Sequence, residues 1–278
     1  MIKLKNIRFV ALLLCMALGL GNVAQAQKAP TGAVNGKFSV SADKQVYFSK
    51  GNLQHQPSTK TWRFAAHQYD VINKDNQDGY TKQEYKGWID VFMWGSGYEP
   101  IISFDDYHDN YQKKPFIDWG INTISDGGAK KWQALSSEEW NYLLFHRSTP
   151  SGMRFAKAIV NNVCGLIILP DDWKESYYPL NKVNDSEGLL STNLISKEDW
   201  TKLEVKGTVF LPGHNGFYDH EIDHKWHSLV SPVIDFWTST VGGRDSFAFF
   251  ISIDDYGLYI IDEMKFVAKS VRLVCPVK

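Results

Sequence analysis

The sequence predicts an α+β domain, with strands at both ends, helices confined to the middle and long irregular connections. Three observations carry that expectation. Residues 37–65 run in short alternating apolar and polar stretches separated by turn residues. Two serine-initiated helical segments lie between 135 and 212, each followed by an apolar run closing in Leu-Pro. Residues 247–274 return to alternation.

Ahead of these lies a stretch with the three parts of a secretory signal. Lys3, Lys5 and Arg8 give a positive start, Phe9 to Leu20 is apolar, and Ala24-Gln25-Ala26 offers a small-residue cleavage site. The apolar run is about 12 residues where a bilayer needs ~20. The expected organisation is a signal over 1–26, a flexible lead-in over 27–36, and one domain over 37–278 with its β-rich opening at 37–95 as a possible sub-domain. The expected destination is periplasm, cell surface or medium, with no membrane span. Cleavage after Ala26 takes the formal charge from −1 to −4, because Lys3, Lys5 and Arg8 leave with it. A mildly acidic chain without a basic block argues against a nucleic-acid partner. Ten tryptophans, thirteen tyrosines and sixteen phenylalanines supply ample core and material for a binding face.

Each element has a local reason. Ala42-Asp43-Lys44 reads as the turn of a hairpin between Phe38–Ser41 and Gln45–Phe48, and Pro57–Lys60 as the turn between Asn52–Gln56 and Thr61–Ala65. In the middle, Leu135–Leu143 resembles Ile195–Leu203, and each is followed by a similar strand, GLIILP at 165–170 and GTVFLP at 207–212. Ser136 and Ser196 each precede an acidic residue by three positions, which is capping-box spacing. Glu139 has the better side chain for the return bond, and Asp199 the shorter one. Trp62, Trp140, Trp200 and Trp237 are expected in the core. At the far end, Asp254–Gly257 reads as the turn of a hairpin between Phe247–Ile253 and Leu258–Ile261. Cys164 and Cys275 remain after cleavage, and both a disulfide and two buried free thiols fit their apolar surroundings.

Several motifs resemble a known group. Gly51-Asn52-Leu53-Gln54, Trp62-Arg63-Phe64-Ala65, Gly87-Trp88-Ile89-Asp90, Asp118-Trp119-Gly120, Trp237-Thr238-Ser239-Thr240 and Ser270-Val271-Arg272-Leu273-Val274 look like those of exported proteins of Bacteroidales. The later half also resembles the Fibrobacter succinogenes major paralogous domain. That resemblance implies a C-type-lectin-like fold, similar to formylglycine-generating enzymes, with short helices and irregular antiparallel sheets. It implies little about activity. The enzyme branch works through reactive cysteines holding copper, whereas Cys275 has no partner cysteine close in sequence.

Candidate chemistry falls in two loops, 98–115 and 213–232, where function is expected on a compact scaffold. The densest polar cluster is His214, Asp219, His220, Asp223, His224 and His227. On a helix His220 and His224 would share a face, as would Asp223 and His227, which suits a zinc-like ion. The bland alternative is a solvated loop. Calcium is weighed at Asp105, Asp106, Asp109 and Asn110, but their spacing lacks the glycine and distal glutamate of an EF-hand. Glu99-Pro100 is followed by Ile101, where lectins of the implied fold carry asparagine. Tyr98, Tyr107, Tyr111, Tyr177, Tyr178, Phe217, Tyr218 and Trp226 fall in loops, where rings stack on sugars, anchor interfaces, or pack beneath the loops. Glu138 and Glu139 are accounted for by the helix start, and Ser96 lacks a nucleophile-elbow frame.

The reading is a non-enzymatic exported module that binds a glycan, an envelope protein or a host protein. Tyr98, Tyr107, Tyr111, Phe217, Tyr218 and Trp226 are its candidate contacts. No obligate cofactor is implied, with calcium or zinc as the metals to test. The alternatives are a metal-dependent enzyme centred on His220, His224 and His227, and a structural subunit of a cell-surface assembly.

Overall fold

A computed structural model describes residues 29–72, 83–100, 115–129, 131–215 and 232–278. It is a mixed α+β arrangement of small sheets with few helices. Both sequence-predicted opening hairpins form: Phe38–Ser39 pairs antiparallel with Gln45–Phe48, and Leu53–Gln56 with Thr61–Phe64 across the Pro57–Thr59 turn. The first sheet is completed from the far end of the chain, where Val274, Cys275 and Pro276 pair with Phe48, Tyr47 and Val46. The second gains the short Thr123–Ile124 and Gly128–Ala129 strands.

Helix α1 (Ser137–Asn141) carries a complete capping box. Ser136 Oγ accepts from Glu139 N at 3.1 Å, and Glu139 Oε2 accepts from Ser136 N at 2.8 Å. Helix α2 (Lys197–Val205) has only the first of these bonds, at 3.1 Å. The shorter Asp199 side chain accepts from Lys202 Nζ instead, at 2.7 Å. Trp140 and Trp200 are both buried, as the repeat predicts. The two repeat strands are neighbours: Val209–Pro212 pairs antiparallel with Val163–Ile168, joining Leu211 to Leu166 and Pro212 to Gly165. Their continuous apolar composition has a physical cause, because the sheet is buried on both faces. Phe155, Leu166, Ile168 and Val209 enter one core, while Val160, Ile167 and Phe210 enter another with Trp173 and Trp200.

The largest sheet runs in the order Leu258–Met264, Phe247–Ile253, Pro232–Val241, Lys269–Ser270, Val91–Phe92, and His214–Asn215 also pairs with Pro232–Val241. Its central strand divides two cores, Phe236 entering one and Trp237 the other. The hairpin turn is held as predicted, with Asp254 Oδ1 accepting from Tyr256 N and Gly257 N at 2.7 and 2.8 Å. One expectation needs correction. The sheets are not uniformly antiparallel, since Leu194–Ile195 runs parallel to Phe155–Val160, Lys269–Ser270 to Pro232–Val241, and Thr123–Ile124 to Thr61–Phe64. Each parallel partner arrives through a long connection and contributes only two residues, which sequence alternation does not reveal.

Buried arginines join these parts. Arg147 donates to Asp171 Oδ1 at 2.7 Å, and Asp171 also accepts from Ser39 N, Ser39 Oγ and Gln45 Nε2. The wholly enclosed Arg272 donates to Asn52 Oδ1 at 3.2 Å and to Gln68 Oε1. Burial lowers its guanidinium to about 9. The Gln68 amide then donates to Glu204 Oε1 at 2.9 Å and Thr208 O at 3.0 Å. Residues from the opening, from α2 and from the closing strands therefore meet in one polar knot.

Candidate functional site

Most of the sequence-predicted site lies outside the described residues. That holds for Tyr107, Tyr111, Phe217, Tyr218, Trp226, His220, His224 and His227, and for Asp105, Asp106, Asp109, Asn110, Asp219 and Asp223. Tyr98 is described and stands 80% exposed. Tyr177 and Tyr178 are half-buried against the core that holds Trp173 and Trp200, with Tyr177 edge-on to Trp173 at 5.4 Å, so these two support a loop from beneath. Ser96 is buried and accepts from Trp119 Nε1 at 3.2 Å, a structural duty. Glu138 and Glu139 sit in the first turn of α1, the place predicted for them. Cys164 and Cys275 are free thiols. Burial pushes Cys275 up to about 11, and burial followed by nearby Asp255 raises Cys164. Among the described residues no group of three or more His, Cys, Asp or Glu is placed to hold a metal ion, and no helix is long and apolar enough to cross a membrane.

The described residues do form a cleft of about 770 Å³ on the outer face of the second sheet. Strand alternation builds it. In Thr61–Phe64, Trp62 and Phe64 turn inward, which leaves Thr61 and Arg63 on the outside. The register sets Gln54 opposite Arg63, and Arg63 Nε donates to Gln54 Oε1 at 2.8 Å. Next to this pair, Ile89 bridges His55 through two backbone bonds of 2.8 and 2.9 Å. Ile89 is buried, and its neighbour Trp88 is half-buried against Arg63, whose Cζ lies 3.7 Å from the indole centroid. The guanidinium is thus fixed by a hydrogen bond at one nitrogen and by an aromatic face beneath it.

Two carboxylates complete the wall. Asp126 Oδ1 accepts from Phe64 N at 3.1 Å while Oδ2 pairs with Lys50 Nζ at 2.7 Å. Asp70 Oδ2 accepts from His67 N at 2.8 Å and lies 3.2 Å from His67 Nδ1. Asn161 reaches the rim from the tight turn between Phe155–Val160 and Val163–Ile168, where it adopts φ 47° and Asn162 φ 66°. No protein-family model, curated protein or solved structure matches the chain. Geometry alone therefore argues for the site. Sequence reasoning missed it, because Gln54, Arg63 and Trp88 fall in motifs that read as scaffold. The available signal was the alternation itself, which puts Gln54 and Arg63 on the face opposite Leu53, Trp62 and Phe64.

Proposed function

We propose that the protein is an exported, non-enzymatic binding module with a C-type-lectin-like fold, and that the cleft beside Trp88 is its ligand face. The observation that carries this reading is the Gln54–Arg63–Trp88 platform. It joins the buried Gln54 to the half-buried Arg63 and Trp88, a hydrogen-bonded and stacked set of planar polar and aromatic groups outside the apolar cores. Such surfaces orient ligands by hydrogen bonds and stacking. The cleft carboxylates are engaged in holding backbone and side-chain partners, Asp126 with Phe64 N and Lys50 and Asp70 with His67, which suits recognition better than proton transfer. An export signal, loop aromatics such as Tyr98, and the resemblance of the motifs to exported Bacteroidales proteins favour a ligand outside the cytoplasm, a glycan or a protein of the envelope or host.

The test is equilibrium binding of the purified protein to a broad glycan array and to a panel of envelope and host surface proteins, with and without calcium. Saturable binding to any member, weakened by Trp88→Ala, supports the reading. Binding to none removes it.

A further inference from the structure

The chemistry of the cleft goes further than a glycan-or-protein alternative. We infer that it takes an uncharged, polyhydroxylated ligand, a neutral sugar chain, held by the free edge of Arg63 and by the carboxylates of Asp70 and Asp126; this rests on the binding-module reading above. Four observations lead there.

First, the Arg63 guanidinium spends Nε on Gln54 and one flat face on Trp88. Its two terminal nitrogens make no other hydrogen bond to a described residue, so they form a preset donor fork. Second, the charges in the cleft balance, with Lys50 and Arg63 set against Asp70 and Asp126. An anionic ligand would satisfy the fork but would face two carboxylates that it has no proton to offer. A hydroxyl group accepts from the fork and donates to a carboxylate in the same site. Third, the oxygen atoms needed for that are present. Among the described residues, Asp70 uses only Oδ2 in its hydrogen bonds to His67, leaving Oδ1, and each oxygen of Asp126 has one bond and one further acceptor position. Fourth, among the described residues the floor presents side chains and no open strand edge. Thr61–Phe64 is flanked by Leu53–Gln56 on one side and Thr123–Ile124 on the other, and His55 on the outer side of Leu53–Gln56 is bridged to Ile89. A peptide has no ladder there to extend, which removes the commonest way of capturing an extended protein segment. The size of about 770 Å³ lies within the range of small-ligand sites.

The experiment presents the purified protein with arrayed neutral oligosaccharides and matched uronate-containing ones, in low salt and at about 0.5 M salt, where charge attraction is strongly screened. The expected result is saturable binding to neutral members that survives high salt. Arg63→Lys keeps the charge and most of the stem but removes the fork, and it should weaken binding about tenfold or more. Trp88→Ala should do the same, while Tyr256→Ala, outside the cleft, should not. Thermal unfolding of each variant separates lost binding from lost folding. Binding confined to acidic sugars or abolished by salt overturns the inference. So does sugar binding that ignores Arg63→Lys and Trp88→Ala but falls in Tyr98→Ala, and so does Trp88-dependent binding to a protein with a blank array. The first and third of those outcomes leave the binding-module reading standing, while the second keeps a binding module but moves its ligand face from the cleft to Tyr98. Binding to no sugar and no protein removes both.

Discussion

Replacing Asp171 by alanine isolates the energetics of the joint between the opening hairpin and the middle of the chain. The Arg147 side chain is fully enclosed and Asp171 is 18% exposed. Burial acts first on Arg147, lowering its pKa, and the nearby Asp171 carboxylate acts against that. Arg147 also donates to three carbonyls, Leu143 O at 2.8 Å, Leu169 O at 2.6 Å and Arg154 O at 3.1 Å. The substitution therefore leaves those bonds while stranding a buried cation, and it removes the acceptor of the half-buried Ser39 N and Ser39 Oγ, whereas the exposed Gln45 Nε2 turns to water. Breaking a buried pair costs ~3–5 kcal/mol. The surviving carbonyls and the partial exposure of Asp171 place the expectation at the lower end, about 3 kcal/mol, or a fall in Tm on the order of 10 °C for a chain of this size. The assay is urea unfolding, read as a shift in midpoint at constant slope. The exposed Lys182–Asp185 pair, at 3.6 Å, is the control, and Lys182→Ala should cost less than about 0.5 kcal/mol. The double variant Arg147→Met, Asp171→Ala removes the stranded charge and should recover part of the loss. A single-variant cost below about 1 kcal/mol, or a double variant no more stable than Asp171→Ala, would refute the argument.

Three further outcomes are expected. Burial holds His55 at about 4 against an ordinary 6.5, so the unfolded chain binds the extra proton between those values. Stability should be steady above pH 6.5 and fall by up to about 3 kcal/mol as pH drops to 4, and His55→Gln should flatten urea midpoints across that window. Cys275, raised to about 11, should resist iodoacetamide at pH 8 in the native protein and react once urea exposes it, followed by intact mass. Gly165→Ala would put a Cβ 2.3 Å from the Phe210 ring and 2.4 Å from Leu211 O, and should cost ~1–3 kcal/mol in chemical denaturation; an unchanged midpoint would show that the repeat strands can separate without penalty.

What could be read in advance follows the range of the interactions. The hairpins at Ala42–Lys44 and Asp254–Gly257 and the caps at Ser136 and Ser196 depend on neighbours within four residues, and they were legible. The inward tryptophans were legible too, because strand and helix periods assign a face. The short parallel additions, Leu194–Ile195 and Thr123–Ile124, were not, since two residues carry no period and their partners are remote in sequence. The cleft failed for a related reason. Arg63 meets Gln54 through a hairpin register, but it meets Trp88 only because Ile89 bridges His55 across a long connection. Counting aromatics in loops points to Tyr98 and its neighbours, whereas Trp88 lies in one of the motifs that carry the family resemblance.

The pairing of Val46 with Pro276 has a temporal consequence. At about 5–20 residues per second, roughly 10–50 seconds of synthesis separate the two strands. Through that interval Val46 has its hairpin partner Phe38 on one side, while Val46, Tyr47 and Phe48 all lack the Pro276, Cys275 and Val274 that they finally pair with. A nascent chain held open at that edge leaves unpaired backbone groups and apolar side chains exposed until the last residues are made. Truncation just ahead of Val274 would make that waiting state permanent.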